Sequence, residues 1–348
     1  GEDLVLLLRK LEPDLKIVLG GPEVSHEPET LSVFGQVDAV VAGEAETVIE
    51  SVIDRVLDEG KAKPLMINAP VPDLGNIEMA YHLYSDDDLK YRVTYVEASR
   101  GCPYGCEFCL SSLDRKVRHF PMPELINSLD YLWNQGVRGF KFVDRALHLA
   151  DGPALLDFFR KKNDGSLFLH FELVPDQISE ELFGLFAEFG PGQIQLEAGV
   201  QTFDEQVAQN ISRNQKNDLV MNNLRRLLDE TDVHIHADLI AGLPGQDMAS
   251  LAASFDQLSS TGIHEIQLGI LKRLKGAPIA RHDSTFGMLY HHQPPYEVLE
   301  TSELAFNELQ RIKRMARYYE QVVNSGNFIG VVEAMFGASP GFGDFMIF

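Results

Sequence analysis

Cysteine is scarce in this sequence, as are basic residues and long apolar runs. Only three of the 348 residues are cysteine, and an odd number excludes a complete disulfide framework. No run of 18 or more apolar residues occurs, so we expect no membrane-spanning helix. Lysine and arginine number 30 against 52 aspartate and glutamate, and the resulting formal charge of −22 opposes nonspecific binding to nucleic-acid phosphates. We therefore expect neither a membrane nor a nucleic acid among the partners.

Targeting signals are also missing from the sequence. The first residues are Gly1-Glu2-Asp3-Leu4, with no initiator methionine and no basic-then-apolar signal peptide. We expect that an N-terminal portion precedes this chain and that a C-terminal portion follows it. Few cysteines without a secretory signal favour the reducing cytoplasm. The length allows about two domains, and 45% hydrophobic with 24% charged residues is typical of a globular protein.

All three cysteines lie within residues 100–110, which read RGCPYGCEFCL. The spacing of Cys102, Cys106 and Cys109, with two glycines that permit tight turns, lets three thiolates surround one centre and favours a metal ion or a cluster. A four-iron cluster usually has four thiolate ligands, so three predict one iron that is open to a ligand from outside the protein. The alternative is a zinc site formed by the cysteines and His119. Iron and sulfide analysis would distinguish the two.

The same residues resemble the signature of radical S-adenosylmethionine (radical SAM) enzymes, including the aromatic Phe108 just before the last cysteine. The resemblance implies that Cys102, Cys106 and Cys109 hold a [4Fe-4S] cluster, with S-adenosylmethionine on the fourth iron and Phe108 near the cofactor. It also implies that reduction cleaves the cofactor to a 5′-deoxyadenosyl radical. No catalytic side chain is assigned beyond the cluster ligands.

Apolar strands alternate with helical patterns from residue 91 onward, which predicts a parallel α/β fold. We place strands near 93–99, 138–144, 167–173, 192–200, 232–240 and 263–270. Helices are predicted near 122–135, 151–163, 179–189, 216–230 and 247–260. Six such units are too few for a closed eight-stranded barrel. A partial (β/α)6 barrel over 93–275 fits better and resembles the core of the radical SAM enzymes.

Three of these strands carry polar residues on one face and apolar residues on the other. The polar positions alternate along the chain: His170 and Glu172; Gln193, Gln195, Glu197, Gly199 and Gln201; and His234, His236 and Asp238. A structural barrel fills its interior with aliphatic side chains, so this pattern predicts a wet interior that holds ligands. The alternative is a satisfied polar network. The pair His234-x-His236 also resembles the first metal ligands of amidohydrolases, although lining the barrel interior is the simpler role.

Further residues resemble the cofactor-binding positions of the radical SAM core. The resemblance places Asp144 near the amino group of S-adenosylmethionine. It also assigns Arg213 to the cofactor carboxylate, and the segment from Glu197 to Thr202, which includes Gln201, to the ribose and methionine part. The fifth-strand stretch from Asp238 to Gly242 resembles the turn that passes adenine, with Leu268 on the sixth strand as its neighbour.

Residues 1–60 show the order strand, glycine turn, helix twice, which is typical of a doubly wound sheet. Ahead of a radical SAM loop, the two turns resemble the second half of a Rossmann-like cobalamin-binding domain. The implied cobalamin contacts are Gly20, Gly21, Pro22, Gly43 and Glu44, with both turns at the carboxyl ends of parallel strands. We interpret residues 61–92 as a linker and residues 276–348 as a mostly helical C-terminal region.

The resemblance implies a radical SAM enzyme that methylates an unactivated carbon of a small molecule or peptide with the help of cobalamin. An external electron donor such as flavodoxin or ferredoxin is the implied partner. Without cobalamin, cyclisation, rearrangement or methylthiolation is equally open. A non-catalytic or electron-transfer iron-sulfur protein and a metal hydrolase built on His234 and His236 are the alternatives from other classes.

Overall fold

A computed structural model describes residues 1–58, 64–147, 150–337 and 339–346. The chain divides into two units. Unit 1 contains Gly1–Glu78 together with Leu274–Ala277, and unit 2 contains Met79–Arg273 together with Pro278–Phe348. In the described part of the chain, no helix is both long enough and apolar enough to cross a membrane.

Unit 1 is a three-stranded parallel sheet with helices on both faces. Its elements are α1 (Glu2–Leu11), β1 (Val18–Leu19), α2 (Pro22–Ser25), β2 (Ala39–Ala42), α3 (Ile49–Asp58) and β3 (Leu65–Asn68), and the strand order is β1-β2-β3. Strand β2 is buried throughout, with Val40 packed on the side of Val5 and Val41 on the side of Val52 and Val56. Helices therefore cover both faces of the central strand, as the apolar run predicts for a doubly wound sheet.

The linker interpretation of residues 61–92 is wrong in its first part. Residues 61–63 lie outside the described residues, but Leu65–Asn68 forms β3 and pairs in parallel with β2, with Leu65 opposite Ala39. The open edge of β2 supplies the hydrogen bonds that make this short segment a strand. The segment between the two sheets ends in α4 (Asp86–Tyr91), which begins with a capping box between Ser85 and Asp88.

Unit 2 contains a six-stranded parallel sheet, as predicted. Its strands are β4 (Thr94–Val96), β7 (Gly139–Phe142), β8 (Phe168–Leu173), β9 (Ile194–Gln201), β10 (His234–Ala241) and β11 (Glu265–Ile270). The order is β11-β10-β9-β8-β7-β4, so each strand lies beside its neighbours in sequence. A hairpin of β5 (Ser99–Arg100) and β6 (Arg118–His119) follows β4. The crossover helices are α5 (Met122–Asn134), α6 (Gly152–Lys162), α7 (Glu180–Phe186), α8 (Glu205–Asn210), α9 (Asn217–Glu230) and α10 (Met248–Ser259).

Alternating burial along the strands separates the two faces of this sheet. In β9 and β10 the apolar residues are buried at every second position, and the polar residues between them are half-buried. The buried face includes Leu196, Ala198, Ile235 and Leu239. This arrangement follows from the two-residue repeat of a strand, because the apolar side packs under the crossover helices and the polar side faces the barrel interior.

The C-terminal part of unit 2 is mostly helical, with one hairpin that the sequence analysis did not predict. It contains β12 (Leu289–Tyr290), β13 (Val298–Glu300), α11 (Phe306–Tyr319), α12 (Ile329–Phe336) and α13 (Phe342–Phe345). The side-chain amide of Asn324 accepts a hydrogen bond from the N–H of Ile266 and donates one to the carbonyl of Ile266, at 3.2 and 3.0 Å. Strand β11 is the edge of the sheet, so this amide satisfies edge groups that would otherwise lack partners.

Candidate active site

The hairpin β5–β6 closes the loop that carries the three cysteines. Ser99 pairs with His119 and Arg100 with Arg118. Within the loop, the N–H of Cys102 donates to the carbonyl of Asp114 at 2.9 Å, and the N–H of Cys109 donates to the carbonyl of Cys106 at 3.0 Å. Gly101 has a φ of +89°, and a Cβ there would lie 2.5 Å from the carbonyl oxygen of Lys116. Glycine is therefore required where the two sides of the loop meet.

The three thiols open into one cavity of about 170 Å³ above the polar face of the barrel. Strands β8, β9 and β10 contribute Glu172, Glu197, Gly199, Gln201 and Asp238, and the loops add Phe108 and Arg213. Tyr104, Ser112, Arg145, Leu173 and Val174 complete the lining. The cavity therefore combines thiols with cationic, anionic and amide groups from the middle and carboxyl ends of three parallel strands.

Arg213 connects the thiols to strand β9. Its Nη1 lies 3.4 Å from Cys106 Sγ, its Nε donates to Gln215 Oε1 at 2.7 Å, and its Nη2 donates to the carbonyl of Gly199. The ladder between β9 and β10 shifts register here, because Asp238 pairs with Gly199 while Leu239 pairs with Gln201. Gln201 takes a φ of +70° at this bulge. Bulges often re-aim a side chain next to a functional site, and Gln201 lines the cavity.

Three carboxylates on the cavity floor have different proton affinities. Burial, followed by the negative charges of Glu197 and Glu172, raises the pKa of Asp238 to about 8. Burial also raises the pKa of Glu172, with Glu197 as the next cause. A contact with His170, whose Nε2 lies 3.2 Å from Glu197 Oε2, lowers the pKa of Glu197. Asp238 therefore stays protonated near neutral pH.

The residues present fit a [4Fe-4S] cluster better than a single metal ion. The thiols of Cys102, Cys106 and Cys109 line one cavity, and the chain has no fourth cysteine. Among the described residues, no group of three or more His, Cys, Asp or Glu side chains is arranged to hold one metal ion. A cluster binds each thiolate through a different iron, so its ligands stand further apart than those of one ion.

The zinc alternative receives no support from the position of His119. His119 lines a different cavity, and its Nδ1 lies 2.6 Å from Asp151 Oδ2. The pair His234 and His236 belongs to no metal site in the described residues either. His234 Nε2 lies 2.7 Å from Glu265 Oε1, and His236 Nε2 lies 3.6 Å from Asp238 Oδ1. Both imidazoles therefore belong to the polar interior of the barrel.

Three predicted cofactor residues lie elsewhere. Asp144 is buried outside the cavity lining, and its carboxylate accepts the N–H of Ala98 at 3.0 Å and the hydroxyl of Ser99 at 2.5 Å. Leu268 pairs with Leu239 and is buried on the face under the helices, whereas Gln267 pairs with Asp238 on the interior side. Gly242 follows β10 beside Val298 of the C-terminal region and does not line the cavity.

The two glycine turns of unit 1 are joined by one side chain. Gly20 and Gly21 follow β1, Pro22 begins α2, and Gly43 and Glu44 follow β2, so both turns lie at carboxyl ends of parallel strands as predicted. The hydroxyl of Ser25 donates to the carbonyl of Gly21 at 2.8 Å and accepts the N–H of Gly43 at 3.0 Å. The exposed glycines 20, 21 and 43 therefore lie together at the carboxyl ends of the strands.

A second cavity of about 300 Å³ shares Tyr104, Leu173 and Val174 with the first. The remaining lining is mainly aliphatic, with Phe186 on α7 and with His119 and Gln177 as the other polar side chains. Sequence patterns did not indicate this cavity, because its walls come from separate segments between residues 104 and 186. It also left Glu172 unassigned to the cofactor, although the alternating pattern of β8 had placed that residue on the interior face.

Two family models match the chain. The model described as the Radical SAM superfamily matches residues 96–258, and one described as a protein of unknown function, DUF4080, matches residues 284–346. Over 185 residues the chain is 28% identical to an uncharacterised methyltransferase, PH0819, of Pyrococcus horikoshii, covering 46% of this chain and 39% of that protein. Over 293 residues it is 22% identical to the threonylcarbamoyladenosine tRNA methylthiotransferase MtaB of Rickettsia prowazekii, covering 78% of this chain and 65% of that protein.

Among solved structures, the fold resembles that of the radical S-adenosylmethionine methyltransferase TsrM from Kitasatospora setae. The form with tryptophan substrate and a SAM analogue aligns with a TM-score of 0.67 and 12% identity, covering 87% of this chain and 65% of that chain. The form with cobalamin and a [4Fe-4S] cluster aligns with a TM-score of 0.63. The chain spans less than two thirds of the length of the curated relatives it matches. Residues 96–258, which carry the cysteine loop and most of the six-stranded sheet, are thus the part of the chain that matches the Radical SAM superfamily.

Proposed function

We propose that the protein cleaves S-adenosylmethionine reductively at a [4Fe-4S] cluster held by Cys102, Cys106 and Cys109. The observation that carries the proposal is the single cavity in which these three thiols meet Arg213 and the carboxylates of the barrel floor. When bound and reduced, the cluster supplies the electron that splits the cofactor into methionine and a 5′-deoxyadenosyl radical. An external donor such as flavodoxin or ferredoxin delivers that electron in our proposal, and a reducing cytoplasm keeps the thiols available.

The side chains of the cavity bind and orient the cofactor in this proposal. The guanidinium of Arg213 pairs with the cofactor carboxylate, a geometry that suits bidentate hydrogen bonding. Glu197, Gln201 and Asp238 bind the amino group and the ribose hydroxyls, and Phe108 covers an apolar side. Asp238 Oδ1, beside the cavity, and His236 Nε2 face each other at 3.6 Å; both are buried and have no hydrogen-bond partner in the described part of the chain. A bound polar ligand would satisfy them.

We further propose that the reaction is a cobalamin-dependent methylation of an unactivated carbon in a small molecule or peptide. Two features support it: the glycine turns of unit 1 at the carboxyl edge of a parallel sheet, and the fold shared with TsrM. The apolar cavity beside the cysteine loop receives the hydrophobic part of the substrate in this proposal, since binding pockets are mostly apolar with a few polar groups. Methylthiolation is the second candidate because of the relative MtaB.

The decisive experiment is anaerobic reconstitution with iron and sulfide, followed by reduction in the presence of S-adenosylmethionine. We expect bound iron and sulfide, absorption at roughly 400 nm, and formation of 5′-deoxyadenosine and methionine. The triple Cys→Ala variant should lose the bound iron and sulfide, the absorption and the product formation, whereas His119→Ala should keep all of them. Zinc without iron, or retention of the chromophore by the triple variant, would contradict the proposal.

Product analysis separates the candidate reactions. Methylation with cobalamin predicts that added aquacobalamin binds and that S-adenosylhomocysteine accumulates along with 5′-deoxyadenosine when substrate is present. Formation of 5′-deoxyadenosine that does not respond to cobalamin favours cyclisation, rearrangement or methylthiolation. A cluster that is reduced without cleaving S-adenosylmethionine identifies an electron-transfer protein.

A further inference from the structure

Glu107 is a buried carboxylate inside the cysteine loop, between Cys106 and Cys109, with 5% of its side chain exposed. Its Oε1 accepts hydrogen bonds from the hydroxyl of Ser212 and from Nη2 of Arg281. Its Oε2 lies 2.9 Å from Nε2 of His282, which can donate the third bond. A buried charge is tolerated only when it is paired and hydrogen-bonded, and Glu107 satisfies this condition entirely with residues more than 100 positions away.

The main chain of Glu107 connects the same segments. Its N–H donates to the carbonyl of Ile211 at 3.0 Å, and its carbonyl accepts the N–H of Ile279 at 2.9 Å. Ile279 is fully buried, and the ring of His282 packs on Phe286 with 5.7 Å between centroids. Main-chain and side-chain bonds therefore fix both the loop after α8 and residues 279–282 to the cysteine loop.

The position of Arg213 depends on this attachment. Ser212 takes a φ of +54°, which is uncommon for a residue with a side chain, and its hydroxyl is held by Glu107. The next residue, Arg213, places Nη1 3.4 Å from Cys106 Sγ. The N–H groups of Ser212 and Arg213 bond the carbonyls of Gln209 and Ala208 at 3.0 and 2.8 Å, and the Ser212–Glu107 bond ties this turn to the cysteine loop.

We infer that Glu107 is a positioning residue, which locks Arg213 beside Cys106 and makes residues 279–282, at the start of the C-terminal region, a structural part of the cofactor site. The inference rests on the proposed cluster and cofactor. Glu107 and Arg281 also form a compensated charge pair next to the cluster ligands. Nearby charge and hydrogen bonding tune the reduction potential of an iron-sulfur cluster. Removing either Glu107 or Arg281 alone should therefore shift that potential measurably.

The first test is the midpoint potential of the reconstituted cluster, measured without S-adenosylmethionine. Glu107→Gln removes a negative charge and should raise the potential, whereas Arg281→Gln leaves the carboxylate uncompensated and should lower it. The double variant should return towards the wild-type value. As a matched control, Asp164→Asn breaks the exposed ion pair with Arg138, at 2.8 Å, and should leave the potential unchanged. Shifts of the same sign in both single variants, or no shift at full iron content, would overturn the inference.

The second test is Ser212→Ala, which removes only the hydroxyl and should fold and bind iron normally. We expect roughly tenfold weaker binding of S-adenosylmethionine to the reconstituted protein by calorimetry, because a hydrogen bond to a charged group is lost. Ser260→Ala is the control, since its hydroxyl bonds a local carbonyl on the helix surface. Equal affinity in Ser212→Ala and wild type would refute the positioning role. If wild-type protein forms no cluster, the proposed function itself fails, and that result is distinct from unchanged variants of an active protein.

Discussion

Replacing Gly242 by alanine should destabilise unit 2 far more than an ordinary surface change. Gly242 has a φ of +87°, and an L-residue in the left-handed region costs about 1–2 kcal/mol. Its new Cβ would lie 2.5 Å from Val298 Cγ1, and Val298 is 2% exposed, so it has little room to move. Overpacking of this kind costs about 1–3 kcal/mol, which gives a total of about 2–5 kcal/mol.

The assay is equilibrium urea unfolding followed by circular dichroism, with two comparison variants. Gly136 has a φ of +95°, and no atom lies within 4 Å of the Cβ that alanine would add there. Gly136→Ala should therefore lower the free energy of unfolding only by the backbone cost of about 1–2 kcal/mol. Val298→Ala combined with Gly242→Ala removes the overlap. The double variant should therefore be more stable than the sum of the two single changes predicts.

This experiment also decides between two roles for Gly242. The resemblance assigned the residue to adenine binding, whereas the structure gives it a packing role beside the C-terminal region. If Gly242→Ala unfolds at the same urea concentration as Gly136→Ala but no longer binds S-adenosylmethionine, the packing argument is refuted. If stability falls by the expected amount in the absence of cofactor, close packing explains the glycine.

Three further predictions concern the cofactors and the pH dependence of stability. Arg213→Ala should weaken S-adenosylmethionine binding by about 1–3 kcal/mol, and unchanged affinity by calorimetry would remove Arg213 from the cofactor site. Burial raises the pKa of Asp144 to about 6, so the folded state binds this proton more tightly than the unfolded chain does. The free energy of unfolding should therefore fall as the pH rises through about 6, and Asp144→Asn should abolish that part of the pH profile. Gly20→Trp, at a turn with ordinary φ, should reduce binding of aquacobalamin in equilibrium dialysis, whereas Gly35→Trp in the same unit should not.

The barrel strands were predictable because their physical cause is local. In β9 and β10 every second residue faces the helices, so Leu196 and Ile235 had to be apolar while Glu197 and His236 could be polar. The cysteine loop was recognisable for the same reason, since all three cysteines lie within eight residues. Strand β3 was missed because only the open edge of β2 makes Leu65–Asn68 a strand.

Register and side-chain direction were not available from a motif. Leu268 and Gln267 are adjacent in β11. Leu268 pairs with Leu239 on the face under the helices, whereas Gln267 pairs with Asp238 on the interior face. A shift of one position reverses the face of a strand residue. The side-chain direction of Asp144, just after strand β7, was equally unpredictable from its motif. Its carboxylate accepts hydrogen bonds from Ala98 and Ser99 and does not point into the cavity.

The cysteine motif itself predicts the metal ligands but not the residues that hold them in place. Glu107 follows Cys106 directly, and a charged residue in a loop would ordinarily be assigned to the surface. Its partners Ser212, Arg281 and His282 lie 105 to 175 positions away, and no local pattern links them. Since a site that binds a cluster and a cofactor needs supporting contacts around its direct ligands, the sequence specifies the chemistry locally while the geometry depends on distant segments of unit 2. Variation in residues 279–282 should therefore alter the cluster environment without changing any cysteine.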